Sequence, residues 1–220
     1  MSSDAVVITA AGSSKRWADQ KKKEYASLDG RPVLSRTIEP FLEITPDLEI
    51  VVTLPGEDIP TVRHLLQPYL EIERILLVPG GSSRQESVRL GLESLREYPP
   101  SVVLIHDGAR PWIEVELIHR VLEGARRWGA CIPVVEASEA PKRIGPSGLI
   151  LEDLARDQCK LAQTPQGFLY GRILEAHLEA RDSTHLFLDD AEVYAAHGWG
   201  VFTVPGSRRN RKITFREDLS

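Results

Sequence analysis

This chain of 220 residues predicts a three-layer α/β fold, and three features of the sequence carry that prediction. Short apolar runs rich in β-branched residues recur along it, longer amphipathic segments separate them, and the ends of several runs are marked by glycine, serine or charge.

The runs are AVVITA (5–10), LEIVVTL (48–54), RILLVP (74–79), SVVLIH (101–106) and ACIPVVE (130–136). Continuous apolar character of this kind suits parallel strands covered on both faces. Between them lie RPVLSRTIEPFLEI, DIPTVRHLLQPYL, SRQESVRLGLESLRE and EVELIHRVLEGARRWGA. Val88, Leu90, Leu92 and Leu95 recur at roughly helical spacing in the third, and Leu117, Val121, Leu122 and Ala125 in the fourth. Pro40 weakens the first helix, because an internal proline kinks or ends one. From Ala137 to Asp153 the pattern changes to ASEAPKRIGPSGLILED, which reads as a hairpin-like excursion. The expected organisation is a single domain over 1–220 with an inserted arm at about 137–156, and with right-handed crossovers that put ligands beyond the carboxyl ends of the strands.

Composition narrows the class. Hydrophobic residues make up 42% and charged residues 27%, as in a folded globular chain. A net charge of -5 argues against bulk affinity for nucleic acid, so any anion binding must be local. Cys131 and Cys159 lack CxxC spacing, and the six histidines form no metal-binding motif. No apolar run is long enough to span a membrane, and a cytoplasmic location is the default expectation.

Five segments carry candidate chemistry. The first is TAAGSSKRWADQKKKEYA (9–26), in which five of the nine residues from Lys15 to Lys23 are cationic. Ala10, Ala11 and Gly12 let a nucleotide approach the backbone at a strand end, and successive N–H groups there suit phosphate oxygens. Neither GxxxxGK[ST] nor GxGxxG is present. The second is PGGSSRQESV (79–88), where Gly80 and Gly81 permit close approach and Ser82, Ser83 and Ser87 offer hydroxyls for a base edge or a helix cap. The third is HDGARPW (106–112), where Asp107 suits a metal or a sugar hydroxyl and Arg110 a phosphate. LARDQCKLAQTPQGF (154–168) adds Arg156 and Thr164, and GSRRNRKIT (206–214) adds Lys212 within a basic run.

Read together and in this order, AAGSSKR, KKKEY, PGGSSRQESV, HDGARP, AQTPQGF, LDDAEV and NRKIT resemble the 2-C-methyl-D-erythritol 4-phosphate cytidylyltransferase family. The resemblance covers nearly the whole chain. It implies a Rossmann-like nucleotidyltransferase sheet with a protruding β-arm, and a homodimer in which one subunit's arm completes the partner's site. It implies CTP and 2-C-methyl-D-erythritol 4-phosphate as substrates, Mg²⁺ or another divalent cation as cofactor, and no nucleic-acid or membrane partner. Carried over by position, Arg16, Lys23 and Lys212 are the catalytic cations. Ala10, Ala11, Gly12, Gly81, Ser82 and Ser87 surround the nucleotide. Asp107, Arg110, Arg156 and Thr164 serve the acceptor, with Arg156 coming from the partner and Asp107 also a possible metal ligand.

Several positions depart from the family pattern. Lys22 replaces a proline and Glu24 a glutamine, although Tyr25 anchors the register on Lys23. Ser82 replaces a commonly acidic residue, Ala140 stands where the arm usually has threonine, Leu188 replaces a threonine and Arg209 an aspartate. A ribitol-5-phosphate cytidylyltransferase shares most of the motifs and is the alternative enzyme. A non-catalytic nucleotide- or nucleic-acid-binding module is the alternative of another class.

Overall fold

The computed structural model describes residues 3–12, 17 and 22–219. In chain order its regular elements are β1 (Ala5–Thr9), β2 (Ser27–Leu28), β3 (Arg31–Pro32), α1 (Val33–Leu42), β4 (Glu49–Leu54) and α2 (Ile59–Leu66). Then follow β5 (Ile75–Pro79), α3 (Arg84–Glu93), β6 (Val102–Asp107), α4 (Val115–Trp128), β7 (Ala130–Glu136), β8 (Lys142–Ile144) and β9 (Ile150–Asp153). β10 (Lys160–Ala162), β11 (Gln166–Leu169), α5 (Tyr170–Glu179), α6 (Asp190–Ala195) and β12 (Phe202–Pro205) complete it.

The main sheet runs β10-β7-β11-β6-β1-β4-β5, with β12 paired to the other side of β7. β1, β4, β5 and β6 are mutually parallel, as their unbroken apolar character predicts. Alternate residues of β1 face opposite layers. Val6 and Ile8 pack with Leu34, Ile38 and Val62 of α1 and α2, whereas Ala5 and Val7 pack with Val88, Leu92 and Ile173 of α3 and α5. Two helical layers therefore enclose one sheet.

The five apolar runs are parallel as expected, but the sheet they build is mixed. β11 inserts antiparallel between β6 and β7, so those two runs are not neighbours. β10 and β11 form one interrupted strand along β7. Ala162 lies opposite Val134 and Gly167 opposite Cys131, so the stretch between them carries two extra residues and bulges outward. The Thr164-Pro165 peptide in that bulge is cis. α1 continues through Pro40 and ends two residues later at Leu42.

Residues from Lys142 to Asp153 form a separate antiparallel hairpin, with Lys142 opposite Asp153. Ion pairs join Lys142 to Asp153 and Arg143 to Glu152 across it. Ile144, Leu149, Ile150 and Leu151 on the hairpin are all more than half exposed. Among the described residues no helix is long and apolar enough to cross a membrane.

Candidate active site

The carboxyl ends of β1, β5 and β6 converge, and the loops leaving them build a cleft of about 290 Å³. At the end of β1, Ala10 is buried and its N–H donates to the Thr53 carbonyl at 2.7 Å. Ala11 and Gly12 follow and line the cleft. Gly80, just beyond β5, packs so closely on this turn that a Cβ there would lie 2.5 Å from the Ala11 side chain. Only glycine brings the two loops together at this distance.

The second loop is organised from within. Ser83 caps α3 by accepting from the Glu86 N–H at 3.1 Å, while the Glu86 carboxylate accepts from the Ser82 N–H and hydroxyl at 2.7 and 2.8 Å. This reciprocal pattern is close to a capping box. It commits the Ser82 side chain to Glu86. Ser87 lines the cleft; its hydroxyl donates to the Ser83 carbonyl and accepts from the Gly81 N–H at 3.1 Å.

Asp107 ends β6 and is the electrostatic centre. Its Oδ2 lies 3.0 Å from Lys212 Nζ and 3.1 Å from Arg110 Nε, and its Oδ1 lies 3.4 Å from Arg84 Nε. Burial alone would raise this carboxyl, but the three cations outweigh it and hold it well below the usual carboxylate range. Asp107 is therefore an anion throughout the physiological range.

Thr164 sits in the β10–β11 bulge behind Asp107. Its hydroxyl oxygen accepts from the Asp107 N–H at 3.1 Å and lies 3.0 Å from His106 Nδ1. Burial pushes the His106 imidazole down to about 3, so it is neutral. Thr164 thus reaches the cleft through Asp107.

Lys23 lines the cleft, and its ammonium donates to the Ile213 carbonyl at 2.9 Å. The neighbouring Lys22 lies 3.4 and 3.3 Å from the carbonyl oxygens of Ala11 and Gly12. Arg16 lies outside the described residues.

Of the residues singled out from the sequence, Ala11, Gly12, Lys23, Ser87, Asp107 and Lys212 meet in this cleft. Ala10, Gly81, Arg110 and Thr164 support it from behind or beside. Arg156 is not brought there: it lies on an exposed turn after β9.

The sequence reading missed Arg84, which lines the cleft and joins it to a second buried carboxylate. Its Nη2 lies 2.7 Å from Asp190 Oδ2, and Asp190 Oδ1 lies 3.2 Å from His177 Nε2. Both residues fall inside segments already singled out, PGGSSRQESV and LDDAEV, but nothing in either segment names the other as its partner.

Asp107 does not fit a protein-held Mg²⁺. Both its oxygens face cations, and among the described residues no group of three or more His, Cys, Asp or Glu side chains is arranged to hold a metal.

A mixed sheet with helices on both faces and a cation-rich cleft at the strand ends define the nucleotidyltransferase class of fold. The crystal structure of 2-C-methyl-D-erythritol 4-phosphate cytidylyltransferase from Thermus thermophilus superposes with a TM-score of 0.78 at 32% identity, covering 98% of this chain and 94% of that one. The 4-diphosphocytidyl-2C-methyl-D-erythritol synthase of Anaerococcus prevotii superposes with a TM-score of 0.85 at 26% identity, covering 98% of this chain and 94% of that one.

The sequence agrees. The profile of the IspD family, 2-C-methyl-D-erythritol 4-phosphate cytidylyltransferase, matches residues 5–220, and the chain belongs to that family. A 2-C-methyl-D-erythritol 4-phosphate cytidylyltransferase of Bacillus mycoides is 35% identical, over 97% of this chain and 93% of that protein. A bifunctional enzyme IspD/IspF of Desulforudis audaxviator is 37% identical over 100% of this chain and 56% of that protein. The chain thus spans about half the length of the bifunctional relatives it matches.

Proposed function

We propose that this chain joins CTP to 2-C-methyl-D-erythritol 4-phosphate, giving 4-diphosphocytidyl-2-C-methyl-D-erythritol and pyrophosphate in the non-mevalonate isoprenoid route. The observation that carries the reading is the Asp107 cluster, in which one carboxylate gathers Lys212, Arg110 and Arg84 beside Lys23 and the Ala11–Gly12 turn.

The reaction needs an oxygen of the acceptor phosphate to attack the α-phosphorus in line as pyrophosphate leaves. That oxygen is already ionised near neutral pH, so no general base is required. The obstacle is repulsion between anions and the charge that builds on phosphorus, which fixed cations and alignment relieve. In this reading Ala10, Ala11, Gly12, Gly81 and Ser87 receive the nucleotide, Ser82 offers it only a carbonyl because Glu86 takes its N–H and hydroxyl, and Arg16, Lys23 and Lys212 neutralise its phosphates. Lys212 is aimed by Asp107. The long 3.4 Å contact from Arg84 leaves Asp107 Oδ1 with capacity to accept a hydroxyl of the acceptor polyol. Arg110 offers its planar fork to the acceptor phosphate, and Thr164 fixes the Asp107 backbone. Mg²⁺ belongs to this reading as an ion carried on the triphosphate, and no step is assigned to it.

The exposed apolar hairpin of β8 and β9 is the proposed dimer arm, and Arg156 beyond it reaches the partner's acceptor site. A single catalytic domain, a cytoplasmic location, and the absence of nucleic-acid or membrane partners complete the proposal.

Turnover with CTP and either methylerythritol phosphate or ribitol 5-phosphate, followed by pyrophosphate release, tests it. A clear preference for methylerythritol phosphate is expected. A preference for ribitol phosphate, or DNA binding without CTP binding, would defeat it.

A further inference from the structure

Lys212 and its neighbours lie on a stretch with no strand or helix to hold it. Between β12 and a closing 3₁₀ turn at Arg216–Leu219, residues 206–215 belong to no regular element. A lysine on such a segment is only as well placed as its backbone.

Two buried side-chain amides hold that backbone to the β10–β11 bulge. Gln163 pairs with Ser207 in both directions: its Nε2 donates to the Ser207 carbonyl at 2.8 Å, and its Oε1 accepts from the Ser207 N–H at 3.1 Å. Asn210 is fully buried, and its Nδ2 donates to the Thr164 carbonyl at 2.7 Å. The Asn210 main-chain carbonyl accepts from Arg110 Nη1 at 2.9 Å and from Gln163 Nε2 at 3.2 Å, so the side-chain anchor to Thr164 fixes where that carbonyl stands. Gly206 makes room for this, since a Cβ there would lie 2.5 Å from Gln163 Oε1.

What the amides hold together is one end of the cleft. Thr164 fixes the Asp107 N–H, the main-chain carbonyl of Asn210 takes Arg110, Lys212 reaches Asp107, and the Ile213 N–H donates to the Ala109 carbonyl at 2.8 Å. Neutral amides can do this without adding charge beside a triphosphate, and burial makes the bonds of Gln163 and of Asn210 Nδ2 costly to lose, although Asn210 Oδ1 is buried without a partner among the described residues.

We propose that Asn210, assisted by Gln163, is a positioning residue for nucleotidyl transfer, setting where Lys212 and Arg110 stand relative to Asp107. The inference rests on the cytidylyltransferase reading. A loosened cation should cost rate more than nucleotide affinity, because it is aimed at charge that develops in the transition state.

The test is a double-mutant cycle. Asn210→Ala is expected to lower kcat about 10- to 100-fold, as small misplacements of reacting groups do, with the KM for CTP within about twofold. In a Lys212→Met background the same substitution should cost less than about threefold more, because coupled residues are not additive. An equal loss in both backgrounds would overturn the inference, since general destabilisation does not depend on Lys212; so would an unchanged kcat. If circular dichroism shows Asn210→Ala to be unfolded, Gln163→Ala runs the same cycle under the same criteria. Failure of the wild-type chain to turn over defeats the cytidylyltransferase reading instead. The stitch is then judged by hydrogen exchange over residues 207–214, which should quicken in the variant; unchanged exchange would overturn it.

Discussion

Lys23 donates its ammonium to the carbonyl of Ile213 at 2.9 Å, and the preceding residue, Lys212, reaches Asp107 at 3.0 Å. Two cations from opposite ends of the chain are thereby held on one short segment, at the place where three strands end. In the proposed function, both face the triphosphate of CTP.

Lys23→Ala removes one of them without emptying the core. The fold should persist while kcat falls about 100- to 1000-fold, the usual cost of losing one preorganised charge at a transition state. Steady-state kinetics alongside circular dichroism check this. Near-normal turnover would transfer the role to Lys21 or Lys22, the latter already within 3.4 Å of the Ala11 and Gly12 carbonyls.

Arg84 bridges two buried carboxylates, so its loss should be felt as instability. Arg84→Met leaves Asp190 and Asp107 short of a partner, and breaking a buried pair typically costs about 3 to 5 kcal/mol. Urea unfolding at pH 7 measures it, and a change below about 1 kcal/mol, the scale of an exposed pair, would contradict the bridging role.

The Asp190 carboxyl offers a pH test. Burial would raise it, but Arg84 and His177 outweigh burial and bring it from 3.8 to about 2. The charged form is therefore favoured by folding. Its contribution is fully present above the ordinary value and is lost as pH falls through 3.8 toward 2. The loss should amount to about 2 kcal/mol. Asp190→Asn should flatten that part of the stability profile, and an unaltered acid slope would show that Asp190 does not gain from the fold.

Arg156 lies away from the cleft of its own chain, and the proposed dimer predicts complementation. Arg156→Ala and Lys23→Ala chains should each be impaired alone. Mixed and reassorted, they should recover about a quarter of wild-type activity, because random pairing gives half heterodimers with one intact site each. No recovery in a mixture shown by native mass spectrometry to contain heterodimers would place Arg156 outside the partner's site.

The parallel half of the sheet was legible because β1, β4, β5 and β6 are buried on both faces and so are written as unbroken apolar runs. β12 escaped notice: FTVP is short, largely exposed and sits beside β7 at the rim. The β10–β11 bulge hid the antiparallel strand that separates β6 from β7. Within the site, small residues at strand ends and clustered cations were readable locally, as Ala11, Gly12, Lys23, Asp107 and Lys212 show. Arg84 with Asp190 was not, because the partners lie 106 residues apart and nothing local in either segment announces the other.

The proposed reaction is a single direct displacement at the α-phosphorus, driven by fixed cations with no covalent intermediate on the protein. Turnover of one diastereomer of the α-thio analogue of CTP with methylerythritol phosphate tests this most directly, the product's configuration being read by ³¹P NMR. Inversion at phosphorus is the result expected of one in-line attack. Retention would require two displacements through a protein-bound nucleotide and would contradict the account.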